Sequence, residues 1–110
     1  MFLVNEMILK YNNKKIELED CKTFKKRLIG FMFKTDINKA LLFKNCNSIH
    51  TFFMKTNIDV IMCDKNDTIV YYYRNLPKGK VILPKKDAVY TIEAPTNYFD
   101  FKVGDKIEII

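Results

Sequence analysis

The chain is poor in the residues from which most small catalytic motifs are built. Among 110 residues it has one serine, one histidine, three glycines and three prolines. Ser48 has no nucleophile elbow around it, so hydrolase chemistry of that type is excluded. Gly79 stands alone, and no glycine-rich loop is present to cradle a phosphate. Only two arginines, Arg27 and Arg74, accompany 17 lysines. Readers of phosphates and base edges favour arginine for its planar, bidentate fork. The net charge of +6 therefore reads as a lysine-rich compositional bias, and nucleic-acid binding is not expected. No stretch approaches the ~18 consecutive apolar residues of a membrane helix. Asn5 and Glu6 interrupt the apolar N-terminal stretch, which has no basic start and no small-residue cleavage site, so a signal peptide is not read there. The three cysteines, Cys21, Cys46 and Cys63, are odd in number and suggest free thiols in a reducing compartment. The expected location is cytoplasmic.

What is present is an ordinary globular composition, 48% hydrophobic and 29% charged, enough for one domain over residues 1–110. Repeats, linkers and low-complexity tracts are absent. Phe2 to Tyr11 reads as a strand, Asn12-Asn13-Lys14 as a turn and Ile16 to Glu19 as an alternating strand. Thr23 opens the one helix candidate, with Phe24, Leu28, Phe31 and Met32 on one face and Gly30 as its stop. The remainder reads as β. Short runs at Ala40 to Phe43, Ile49 to Met54, Val81 to Leu83, Ala88 to Glu93 and Lys106 to Ile110 flank two stronger signals. Ile58 to Cys63 is almost wholly apolar and reads as a central strand. Thr68 to Tyr73 is β-branched and aromatic, and forms a hairpin with it across Lys65-Asn66-Asp67. Thr96 to Phe101 reads as a tight turn or a short helix. The expected fold is mainly β (α+β): a compact curved sheet or partial β-barrel of seven to eight short strands with one short helix packed against it.

Several segments in order carry a family resemblance: Arg27 to Met32, Leu41-Leu42-Phe43, Ile49 to Lys55, Ile58-Asp59-Val60, Asp64 to Asp67 with Ile69-Val70, and Gly104 to Ile107. Together they resemble the DUF192 family, small prokaryotic domains of unknown function, over about residues 20–110. The stretch from His50 to Asp59 is the most specific part. The chain departs from the family pattern at Phe31, at Asn57 (where a proline is common) and at Ala94-Pro95 (where a glycine is common). The resemblance implies a compact β-rich domain and no established reaction, cofactor or substrate.

Within that stretch His50, Lys55 and Asp59 embed three unlike polar groups among apolar neighbours. Buried unpaired, each would cost about 1–3 kcal/mol, so each needs a partner or an open cleft. One reading is a ligand pocket formed by His50, Phe53, Met54, Lys55 and Asp59, with Phe52 beside them and Gly30 and Met32 packed nearby. The blander reading is that Asp59 ties down a loop by accepting backbone N–H bonds, with His50 an ordinary satisfied side chain. A metal site from Cys21, Cys46, His50 and Cys63 has one loose pair where structural zinc sites show two close ones. Met32, Met54 and Met62 lack the paired spacing copper would use and read as core filler. A cysteine nucleophile would have only His50 as its base. Tyr71-Tyr72-Tyr73 with Arg74, Tyr98, Phe99 and Phe101 reads as a binding platform or as a strand with rim hydroxyls. Pro77 to Lys80 with Lys85-Lys86 reads as a solvated basic loop.

The function expected is therefore a small non-enzymatic binding or accessory domain for an unknown small ligand or protein partner, with no cofactor and no metal. One alternative is a small hydrolase or isomerase using His50 and Asp59 as acid and base. Another is a subunit of an envelope or secretion-associated assembly.

Overall fold

The computed structural model describes residues 7–23 and 37–110. Asn12 and Asn13 both take positive φ (48° and 65°), which asparagine tolerates, and turn β1 (Ile8–Tyr11) into β2 (Lys14–Asp20). β2 pairs in parallel with β3 (Ala40–Lys44). A parallel pair cannot be joined by the tight turn that links an antiparallel hairpin. The expected helix falls mostly on residues 24–36 and lies outside the described residues. No helix occurs among those that are described.

The other strands are antiparallel. β5 (Ile58–Cys63) is central as expected, and all six of its residues are buried. It forms the hairpin with β6 (Ile69–Leu76) and pairs on its other side with β8 (Tyr90–Pro95). β8 in turn pairs with β3, and β9 (Glu108–Ile109) with β1. The sheet runs β6-β5-β8-β3-β2-β1-β9. A separate two-stranded ribbon joins β4 (Ile49–His50) to β7 (Val81–Ile82). There are thus nine strands among the described residues, one more than the upper expectation.

The seven-stranded sheet curls into a half-barrel whose edges meet at one end. Ile69 N–H donates to Asp105 O (2.8 Å), Gly104 N–H to Ile69 O (2.8 Å) and Ile107 N–H to Asp67 O (3.0 Å). The run expected to extend from Ile49 to Met54 is cut after His50, because the chain turns at Phe53 (φ 64°). Thr96 to Phe101 turns without a helix.

The two faces of the central strands bury different cores. Leu42, Ile61, Cys63, Ile69, Ile92, Phe99 and Phe101 fill the inside of the curl with Leu9, Tyr11 and Leu18. Leu41, Phe43, Met54, Ile58 and Val60 form a second cluster on the outside, which Ile49 of the ribbon and Tyr73 of β6 flank. Tyr11 links the two ends of the chain: its hydroxyl donates to Asp105 and accepts from Lys102 N–H (3.1 Å).

Burial pushes the Tyr11 phenol up to about 12, with help from Asp105, and burial pushes the Cys63 thiol up to about 12. Both groups are neutral in the folded chain at pH values where the unfolded chain ionises them. Their stabilisation is complete below about pH 9, where the unfolded thiol begins to ionise, and is lost as pH rises toward 12. Each fully buried group adds a slope of at most about 1.4 kcal/mol per pH unit. Urea midpoints measured from pH 8.5 upward should fall steadily, and Cys63→Ala should flatten that fall. An identical slope in the variant would show that the thiol is not shielded.

Candidate functional site

Asp59 occupies the inner face of β5, opposite Ala94 of β8, and is fully buried. Its oxygens are consumed within the fold. Oδ1 accepts from Asn75 N–H (2.7 Å) and Oδ2 from Asn97 N–H (3.0 Å). The Thr96 hydroxyl stands 3.1 Å from Oδ1 and 3.1 Å from the Asn75 side-chain oxygen. Asn75 and Asn97 both have positive φ (55° and 63°), so the carboxylate holds a left-handed irregularity near the end of β6, where the register with β5 shifts, and a left-handed turn following β8. This arrangement matches the loop-tying reading of Asp59, with the carboxylate buried on the inner face of the sheet. Beside it, burial and then the charge of Asp59 raise the Tyr72 phenol above its ordinary range.

His50 lies on the other side of the sheet. Its ribbon crosses the outer face, where Ile49 packs against the second cluster. The two side chains have separate partners, and no hydrogen bond joins them. His50 is exposed. Its Nδ1 accepts from Phe52 N–H (3.2 Å), and its ring stacks on Phe52 with centroids 5.1 Å apart.

The other expected residues separate by burial. Met54 is core. Lys55 is exposed, and no ion pair of it is seen among the described residues. Phe52 and Phe53 are 44% and 66% exposed, and across the ribbon Val81 and Leu83 are 53% and 68% exposed. Val81 stands directly opposite His50. Gly30 and Met32 lie outside the described residues. The site that remains is an exposed aromatic turn, His50 to Lys55, beside the outer face of β7.

Thr51, which the sequence reading passed over, positions that turn. It is 1% exposed. Its hydroxyl donates to Pro77 O (2.7 Å) and accepts from Lys80 N–H (2.8 Å). Its own N–H donates to Lys80 O (2.8 Å), and its carbonyl accepts from Gly79 N–H (3.1 Å). Thr91, also fully buried, donates from its hydroxyl to Cys46 O (2.8 Å) and fastens the start of the ribbon to β8. The only signal for either residue was a threonine inside an otherwise apolar run. Glu93 is likewise buried, on the outer face between Leu41 and Val60.

The thiols serve separate places. Cys21 belongs to the second cluster and Cys63 to the first, while Cys46 donates its S–H to Ser48 O (3.1 Å). No group of three or more candidate metal ligands occurs among the described residues. The aromatic platform also divides. Phe99 and Phe101 are core, and Tyr98 sits at the rim under Lys14. Tyr71 faces Lys85 at 5.6 Å from its ring centre. No helix among the described residues is long and apolar enough to cross a membrane.

Asp59→Asn would point an amide N–H₂ at one of the two backbone donors and leave that donor buried without an acceptor. The expected loss is about 2–3 kcal/mol, or roughly 10 °C in Tm for a domain of this size. Calorimetry of the variant checks it, and an unchanged Tm would mean the carboxylate does not hold Asn75 and Asn97 in place.

Comparison with known proteins agrees with this architecture. The DUF192 family model, described as "Uncharacterized ACR", matches residues 7–109. A UPF0127 protein of Thermococcus kodakarensis is 37% identical over 99 residues, covering 84% of this chain and 61% of that protein. The chain thus spans about three fifths of that relative's length. A UPF0127 protein of Pyrococcus abyssi is 37% identical over 105 residues, covering 87% of this chain and 86% of that one. The crystal structure of a protein of unknown function from Novosphingobium aromaticivorans shares the fold, with a TM-score of 0.75 and 14% identity over 93% of this chain and 82% of that chain. The chain belongs to the DUF192 family of uncharacterized proteins, whose archaeal relatives bear the name UPF0127.

Proposed function

We propose that the domain is a non-enzymatic binding module whose recognition surface is the turn from His50 to Lys55 together with Val81 and Leu83. The observation that carries this reading is the exposure of four large apolar side chains, Phe52, Phe53, Val81 and Leu83, around the stacked His50–Phe52 pair. Exposed apolar clusters with polar rims mark interaction sites, whereas isolated exposed apolar residues do not. The backbone at Phe53 supports the same reading. A bulky residue at φ 64° is held there at a cost, and such strain gathers at ligand-contacting turns. Thr51 supplies the rigid support that keeps the turn in place.

Hydrolase or isomerase chemistry draws no support from the arrangement, since Asp59 is occupied on the far side of the sheet from His50. The module instead takes a short protein segment or a small ligand, with the aromatic rings as anchors and His50 and Lys55 as the polar contacts.

The test is a thermal-shift panel of amino acids, sugars, nucleotides, divalent metals and short peptides, run on wild type and on Phe52→Ser and Phe53→Asn. Asparagine keeps the left-handed backbone while removing the ring. A ligand at 100 times its Kd adds about 2.7 kcal/mol, roughly 10 °C here. Wild type should shift with one class of compound and the variants should lose that shift while keeping their own Tm. A shift that survives in both variants would place the binding surface elsewhere.

A further inference from the structure

Among the described residues the ribbon has a free edge. Thr51 N–H donates to Lys80 O, so residue 51 points its main chain toward residue 80. Hydrogen-bonded and non-bonded pairs alternate in an antiparallel ladder. The bonded pair within the ribbon is therefore Ile49 with Ile82, and the pair His50 with Val81 is non-bonded. The N–H and C=O groups of Val81 and Leu83 consequently point away from β4, and no partner for them occurs among the described residues. Both residues are exposed, and their side chains stand on the outer face of the ribbon, while Ile82 is half-buried.

An open edge with apolar side chains is a template for an added strand. We infer that an extended acidic peptide segment docks on β7 as a third strand of the ribbon, bonding through its main chain to Val81 and Leu83. The inference rests on the binding reading above and names the class of partner. Charge selects the peptide. The segments 45–57 and 77–87 carry Lys55, Lys78, Lys80, Lys85 and Lys86 against the single acid Asp87. A partner strand with acidic residues is drawn to that rim. A second copy of this chain is repelled, because pairing β7 antiparallel with itself about Ile82 would bring Lys78 against Lys86 at both ends of the pair. Lys85 N–H already donates to Asn47 O (3.0 Å), which confines the addition to a short segment. A lipid surface would meet the same lysines and aromatic rings. It would, however, desolvate the edge N–H and C=O groups without satisfying them.

The probe is a capped seven-residue peptide alternating Glu and Val, titrated into ¹⁵N-labelled protein. Two control peptides carry Lys in place of Glu, or N-methyl groups on alternate residues in either register. Anionic vesicles of phosphatidylglycerol and phosphatidylcholine form a separate arm. The expected result is saturable binding that slows hydrogen exchange at the Val81 and Leu83 amides. Both control peptides should bind at least tenfold more weakly. Leu83→Pro, which deletes one exposed donor, should weaken binding by about tenfold at unchanged Tm. Should proline perturb the ribbon, the N-methylated peptides read the same hydrogen bonds from the other side. Equal affinity for the N-methylated peptides overturns the strand addition, as does the absence of saturable binding at millimolar peptide. Vesicle binding without peptide binding overturns it in favour of a lipid surface. Peptide binding that moves only Phe52 and Phe53 also overturns it, yet leaves the binding module standing. The module reading itself falls only if the ligand panel, the peptides and the vesicles all fail to bind through the aromatic turn.

Discussion

The structure depends on three adjacent strands, β3, β8 and β5, that are buried on both faces. An ordinary antiparallel sheet keeps one face in water, and its strands alternate apolar and polar residues. Here Ile58 to Cys63 is buried throughout and Ala40 to Phe43 likewise. One face is satisfied by the curl of the sheet itself, which brings β1, β2 and the Phe99–Phe101 segment over Ile61 and Ile92. The other face needs a second layer, and the β4–β7 ribbon contributes part of it through Ile49. A ribbon that seals a core on one side must show its opposite side to solvent. The exposed turn follows from that requirement, and among the described residues the outer edge of β7 is unpaired.

Polar groups fix what the apolar layers leave undetermined. A two-stranded ribbon has little stability of its own. Thr51 supplements that short ladder by tying the ribbon to the loop at Pro77–Lys80, and Thr91 of β8 by holding Cys46 at the ribbon's start. At the other end of β5, Asp59 does the same for two left-handed asparagines, Asn75 at the register shift in β6 and Asn97 in the turn after β8. In each case a buried side chain satisfies backbone groups that no strand partner reaches, which is the condition under which burying it is tolerated.

Much of the fold was legible in the residues. The all-apolar Ile58–Cys63 and the aromatic Ile69–Tyr73 declared a central strand and its hairpin partner, since no helix accommodates such β-branched runs as well. The strand ends were less legible. Ile49 to Met54 looks continuous by composition, but one left-handed residue, Phe53, breaks it, and phenylalanine gives no warning of positive φ. The residues of the candidate site divide by burial. His50, Phe53 and Lys55 are exposed together, but Asp59 and Met54, equally close in sequence, face inward. Sequence proximity does not tell which side of a sheet a residue takes once a turn resets the alternation. Thr91 and Glu93 alternate with Ile92 and Ala94 as though facing water, and only the second layer explains their burial. Edge exposure at β7 depends on which main-chain groups the partner strand consumes, and side-chain pattern carries no record of that.

The measurement that bears most directly on this account is native-state hydrogen exchange of the unliganded protein, read amide by amide. A ribbon bonded through Ile49 and Ile82, with an open outer edge, predicts protection at Ile82 and Thr51 and near-intrinsic exchange at Val81 and Leu83. The β5 amides should exchange only through global unfolding. Val81 and Leu83 protected to the same degree as Ile82 would contradict it, because the edge would then already be occupied.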